Sequence, residues 1–204
     1  MDGDDSFDDP IASALLGQSA YERVRVRRRS LFKQHLAYKL ALQSAIFGAL
    51  ALVLPLAMTL PASTQRLFPG GDPLSSAPKI LVLGAYAGAI EAVAALGLVY
   101  VGYQRVQRGD VMSEAEAAHL LNVEDAATMI SLVTGAAAVV TLDGFFLLGH
   151  AGQELLAGYL AAGGGNPFAG TEIPVSVPAV AIPAAVLAVV LFALSRFFRR
   201  ELQA

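Results

Sequence analysis

Two carboxylates in this 204-residue chain stand where carboxylates are rare. Glu91 interrupts "LGAYAGAIEAVAALGLVYVGY", and Asp143 interrupts "VVTLDGFFLLGH", which ends on His150. Acids enclosed by apolar sequence can carry protons or cations, and a histidine at the mouth of such a row can exchange a proton with solvent. The competing use is structural: one protonated Glu among small residues holds a neighbouring helix, a bond contributing about 0.6 kcal/mol on average. Choosing between the two requires the elements that position these side chains.

Hydrophobic residues make up 55% of the chain and the mean hydropathy is +0.57, beyond the roughly 45–50% apolar share of soluble domains. Four runs, near 40–60, 80–102, 126–149 and 177–195, can each cross a hydrocarbon core of about 30 Å, which takes roughly 20 helical residues. Within lipid each backbone amide must be paired inside its own segment, so isolated runs of this kind form helices. The expected fold is all-α: an integral membrane bundle of four transmembrane helices with short interfacial helices. Residues 1–39 form an acidic tail and a basic amphipathic segment, and 40–204 form the membrane domain.

Charge is distributed unevenly. Five aspartates fall in the first nine residues and seven Arg or Lys between Arg23 and Lys39. The acidic start has no early apolar core, which predicts no cleavable signal peptide. Twelve Arg or Lys flank the spans on one side, and only Arg66 and Lys79 lie on the other. The positive-inside rule then predicts cytoplasmic N- and C-termini in a plasma-membrane protein. Arg25, Arg27, Arg28 and Arg29 are candidates for setting this topology or for holding anionic lipid heads, each contributing about 1 kcal/mol near a charged surface. Asp9 and Pro10 read as the start of an interfacial helix. Low lysine with abundant arginine and alanine suggests a prokaryotic source.

Spacing places Glu91. At about 100° per residue, Gly84, Gly88, Glu91, Ala95, Leu98 and Gly102 fall within about 40° of one line. Gly84 and Gly88 form a G-x-x-x-G pair, which admits a close helix neighbour. The carboxyl is therefore expected in a helix–helix contact, about 16 Å from the start of its span. Asp143 sits about 9 Å from the end of the third run. Antiparallel packing of spans two and three would leave the two acids about 7 Å apart in depth, bridged by water and continued by His150. That row has the shape of a proton path.

Between spans two and three lies "MSEAEAAHLLNVEDAAT". Ser113 and Glu116 form a capping box, and Asn122 with Asp125 can cap span three, so the stretch reads as helix, turn, helix. About a dozen of its residues resemble the first helix and turn of small helix-turn-helix DNA-binding modules. That resemblance implies a recognition helix next, but the chain continues "MISLVTGAAAVV", which cannot reach base edges. Nucleic-acid binding is not expected. The "GQELLAGYLAAGGG" segment reads as a surface helix, and "GGGNPFAGTEIP" as a flexible loop.

Other chemistry finds little support. Without cysteine there is no thiolate nucleophile or thiolate metal site. The three histidines, His35, His119 and His150, make no i, i+4 pair, and no metalloprotease, nucleophile-elbow or phosphate-loop motif occurs. No metal and no cofactor are expected. An enzyme site at His119, Glu116 and Glu124 is better explained by helix capping. Two functions follow: a non-catalytic, partner-binding or complex-forming membrane subunit, packing through Gly84, Gly88, Ala95 and Gly102 against other membrane helices; or a small proton- or ion-coupled permease using Glu91 and Asp143.

Overall fold

The computed structural model describes residues 19–28 and 32–202. Nine α-helices are seen among them: α1 (Ala20–Arg27), α2 (Leu36–Ala51), α3 (Val53–Met58), α4 (Ala62–Gln65), α5 (Ile80–Arg108), α6 (Glu114–Ile130), α7 (Ala136–His150), α8 (Gln153–Ala161) and α9 (Val177–Glu201). They build four spans: Leu36–Met58, Ile80–Arg108, Glu114–His150 and Val177–Glu201. The fold is an all-α four-helix bundle, with no strand among the described residues beyond one isolated bridge between Pro78 and Gly170.

Local chemistry accounts for the interruptions. Span one changes helix at Leu52, where Pro55 lacks the amide that would bond the Ala51 carbonyl. In span four Pro178 lies in the first turn, where a missing amide costs nothing, and Pro183 falls a turn and a half later. Span three is one helix through Glu114–His150, with a π-helical turn at Ser131–Gly135 joining α6 to α7. The expected turn near 122–125 is absent. The capping box at Ser113 and Glu116 forms as read from the sequence, but it starts the whole span. No Gly or Pro separates it from the apolar run, and Leu120, Leu121 and Glu124 are buried against neighbours, so packing carries the helix onward. The expected caps Asn122 and Asp125 lie inside the helix, where Asn122 instead accepts a hydrogen bond from Arg28.

Glycines set the register. A Cβ on Gly84 would lie 2.9 Å from Leu142 of span three, one on Gly97 would lie 3.2 Å from Ala127, and one on Gly135 would collide with the Glu91 carboxylate. These three contacts fix spans two and three as an antiparallel pair. Gly88 receives Leu50 of span one, and Gly102 lies under the Phe198 ring of span four. The small-residue face of span two is thus filled by the chain's own helices.

One end of the bundle gathers α1, Arg105, the start of span three and the end of span four. Arg105 reaches Glu22 at 2.8 Å and stacks 4.0 Å from the Tyr21 ring centroid, while Arg23 and Arg27 each approach Glu114 at 3.8 Å. At the other end, Phe68, Phe146 and Phe168 cluster, with Phe68 and Phe168 stacked at 4.6 Å. The stretch expected to be a flexible loop is anchored there: Lys79 and Ile80 donate backbone hydrogen bonds to the carbonyls of Ala169 and Pro167, and Phe168 is fully buried. Aromatic burial compensates for its glycines.

Candidate functional site

A column of buried polar side chains runs between spans one, two and three. At its basic end Lys39 and Glu124 form a salt bridge of 2.7 Å, each side chain only 3% exposed. The Tyr21 hydroxyl donates to the second Glu124 oxygen, and Asp125 lies 4.0 Å from the ammonium. Burial first, then the Glu124 carboxylate, raises the Tyr21 pKa above its ordinary value, so the phenol stays a hydrogen-bond donor. Helical spacing extends the column inward. Gln43 is one turn beyond Lys39, and Thr128 and Ser131 are one and two turns beyond Glu124, all of them buried. Thr128 returns its hydroxyl to the Glu124 carbonyl at 2.7 Å.

The column ends at Glu91, which is fully buried. Its Oε2 accepts from the Ser131 hydroxyl at 2.7 Å and lies 3.5 Å from Gln43 Nε2. Its Oε1 faces Gly135 and has no hydrogen-bond partner among the described residues; the same is true of Gln43 Oε1. The span-three residues that meet this carboxylate, Ser131 and Gly135, open and close the π turn. Glu91 therefore lies at a junction of three helices, enclosed and incompletely satisfied. The helix–helix contact expected for Glu91 is made with Ser131 of span three and Gln43 of span one.

Asp143 and His150 lie elsewhere. Because Gly135 is the residue level with Glu91, Asp143 begins about 12 Å further along span three, not about 7 Å. Asp143 is half-buried, and its Oδ1 has no hydrogen-bond partner among the described residues. Tyr86, the tyrosine of span two nearest that depth, is 56% exposed on the outer face of its helix. His150 bonds the Phe146 carbonyl through Nδ1 at 2.9 Å and Thr59 through Nε2 at 3.1 Å. The expected row from Glu91 through Asp143 to His150 is not assembled by any of these contacts. The polar continuation of Glu91 runs the opposite way, toward Lys39 and Glu124.

The basic segment is placed by the same end of the bundle. Arg25 bonds Glu22 at 3.3 Å and the Lys33 carbonyl at 2.7 Å. Arg28 reaches the Ala118 carbonyl at 3.4 Å. Arg29 lies outside the described residues, as do Asp9 and Pro10. Of the packing residues, Gly84, Ala95 and Gly102 are buried and Gly88 is partly buried. Glu116 is held by Ser113 and Arg108, and Glu124 by Lys39, so the weighed enzyme trio is not drawn to one point by those bonds.

Sequence reasoning missed Lys39, Gln43, Glu124 and Ser131 as site residues. Read locally, Lys39 is one of the basic charges before span one, and Glu124 is a helix-start acid or a neighbour of His119 and Glu116, never the partner of Lys39. A signal was present: Lys39 and Gln43 at i, i+4, and Glu124, Thr128 and Ser131 at i, i+4, i+7, trace polar stripes on otherwise apolar helices.

Fold and site together define a multi-pass helical membrane protein with a buried polar column at its centre. No protein-family model matches the chain, and comparison with the curated proteins and with the solved structures finds no match.

Proposed function

We propose that the protein is a non-catalytic membrane subunit that assembles with other membrane helices, its ends on the cytoplasmic side. The observation that carries this reading is a stripe on the face of span two opposite Glu91. Tyr86, Ala89, Val93, Leu96, Tyr100 and Tyr103 are all exposed and follow each other at alternating intervals of three and four. Lipid requires only that a helix face be apolar. An alternating three-four stripe is the seam of a left-handed helix pair, and its tyrosines carry hydroxyls suited to a partner's polar groups. The glycine face cannot serve this purpose, because the chain's own spans fill it. Purification of the full chain in mild detergent is expected to bring down a discrete complex, and Val93→Trp with Leu96→Trp is expected to release the chain as a monomer. A wild-type protein that runs as a clean monomer with nothing bound overturns the proposal.

A second reading, an ion-coupled permease, is supported by the polar column from Lys39 and Glu124 to Glu91. It requires ion flux in liposomes that Glu91→Gln abolishes. Retention of full flux by Glu91→Leu discards it.

A further inference from the structure

We infer that Glu91, Gln43 and Ser131 form a binding site for one small monovalent cation, Na+ or Li+, at the junction of spans one, two and three. Glu91 is completely buried and Gln43 is 2% exposed, yet Glu91 Oε1 and Gln43 Oε1 each lack a hydrogen-bond partner among the described residues. Both orphaned atoms are acceptors, and what satisfies acceptors is a donor or a cation. Ser131 Oγ, 2.7 Å from the carboxylate and likewise buried, completes a set made of oxygen alone. Such a set suits hard cations and not the softer metals that imidazole or thiolate would hold.

Charge selects the valence. Glu91 is the only ionisable side chain in span two between Ile80 and Tyr100 apart from the exposed Tyr86. Span one faces it with Gln43 and, a turn away, Lys39, whose ammonium is committed to Glu124 at 2.7 Å. Span three adds Thr128, Glu124 and Asp125 toward the basic end and Asp143 about 12 Å in the other direction. Span four carries no charged residue from Val177 to Ser195. The Lys39–Glu124 pair is neutral in itself, so Glu91 has no protein counter-charge. When Glu91 is ionised one monovalent cation balances it, taking the place of a proton, whereas a divalent ion would leave an unpaired positive charge in the membrane interior.

Size follows from packing. Gly135 offers no Cβ, and a Cβ there would collide with Oε1. The carboxylate is thus pressed on backbone, and the enclosure favours the smaller alkali ions over K+. The site stands apart from the choice of function: a bound ion is a structural counter-charge in a subunit and the coupling ion in a permease. Stoichiometric binding without flux identifies the first.

The test uses the full-length protein in mild detergent. Equilibrium dialysis with radioactive Na+ is expected to show one ion per chain, and the thermal unfolding midpoint to climb with the logarithm of Na+ concentration relative to choline at equal ionic strength. Li+ should substitute and K+ should compete poorly. Glu91→Gln should fold and show neither binding nor the Na+ response. Gln43→Ala and Ser131→Ala should each weaken binding by about tenfold or more. Overturning results are a midpoint that rises no more in Na+ than in choline together with no bound Na+, or a Glu91→Gln variant that keeps the response. If Glu91→Gln fails to fold, the wild-type dialysis decides alone.

Discussion

Lys39 and Glu124 show how much a single residue's meaning depends on its partner. Both are 3% exposed, and their bond joins positions 85 residues apart. Removing one member strands a buried charge, which costs about 3–5 kcal/mol, whereas replacing both with neutral groups of similar volume is often close to harmless. Lys39→Met is therefore expected to lower the unfolding midpoint in detergent sharply, and Lys39→Met with Glu124→Gln to recover most of the loss. A double variant as unstable as the sum of its parts would refute the pairing as a stabilising unit. The sequence showed that Glu91 sat on a small-residue face, because helical spacing alone decides that. It could not show Lys39 as buried, since seven basic residues between 23 and 39 look alike until α1 and span three close over one of them.

Among the elements, the π turn at Ser131–Gly135 has the closest bearing on the site. Wide turns of this kind recur at functional positions in α-helices, and both span-three residues that meet the Glu91 carboxylate belong to this one. Gly135→Ala would place a methyl against Glu91 Oε1, an overpacking expected to cost about 1–3 kcal/mol. Glu91→Ala in the same chain should relieve part of that cost, a coupling that a double-mutant cycle measures. Gly144→Ala is the control, because nothing lies within 4 Å of a Cβ there; it should be neutral or stabilise by up to about 1 kcal/mol. Equal effects at the two glycines would remove the special role of the turn. Helix boundaries were less legible than helix existence. The capping box at Ser113 was readable because it is a local bond, but whether the helix stopped near Asn122 depended on what buried Leu120, Leu121 and Glu124.

For the whole molecule, the bundle separates a basic end from an end closed by the Phe68, Phe146 and Phe168 cluster. The excess of Arg and Lys predicts that the basic end is cytoplasmic. Because the chain has no cysteine, single introduced cysteines report this directly. Ala62 lies exposed at the aromatic end and Ala115 exposed at the basic end. A membrane-impermeant maleimide applied to intact cells is expected to label Ala62→Cys and to reach Ala115→Cys only after permeabilisation. The reverse pattern would invert the proposed topology.

Span number, helical character and the inward aim of Glu91 were determined by the sequence alone, for a common reason. Each depends on residues within one segment: apolarity over about 20 residues, backbone pairing inside lipid, and the angle between neighbours on one helix. Which groups meet Glu91 was decided only in three dimensions. That outcome depends on the depth and rotation of every span relative to the others, and here Gly84, Gly97 and Gly135 set them by admitting Leu142, Ala127 and the Glu91 carboxylate. A register shifted by about eight residues, roughly two helical turns, would have brought Asp143 beside Glu91. The glycines place Ser131 there instead, and with it the polar column that leads back to Lys39 and Glu124.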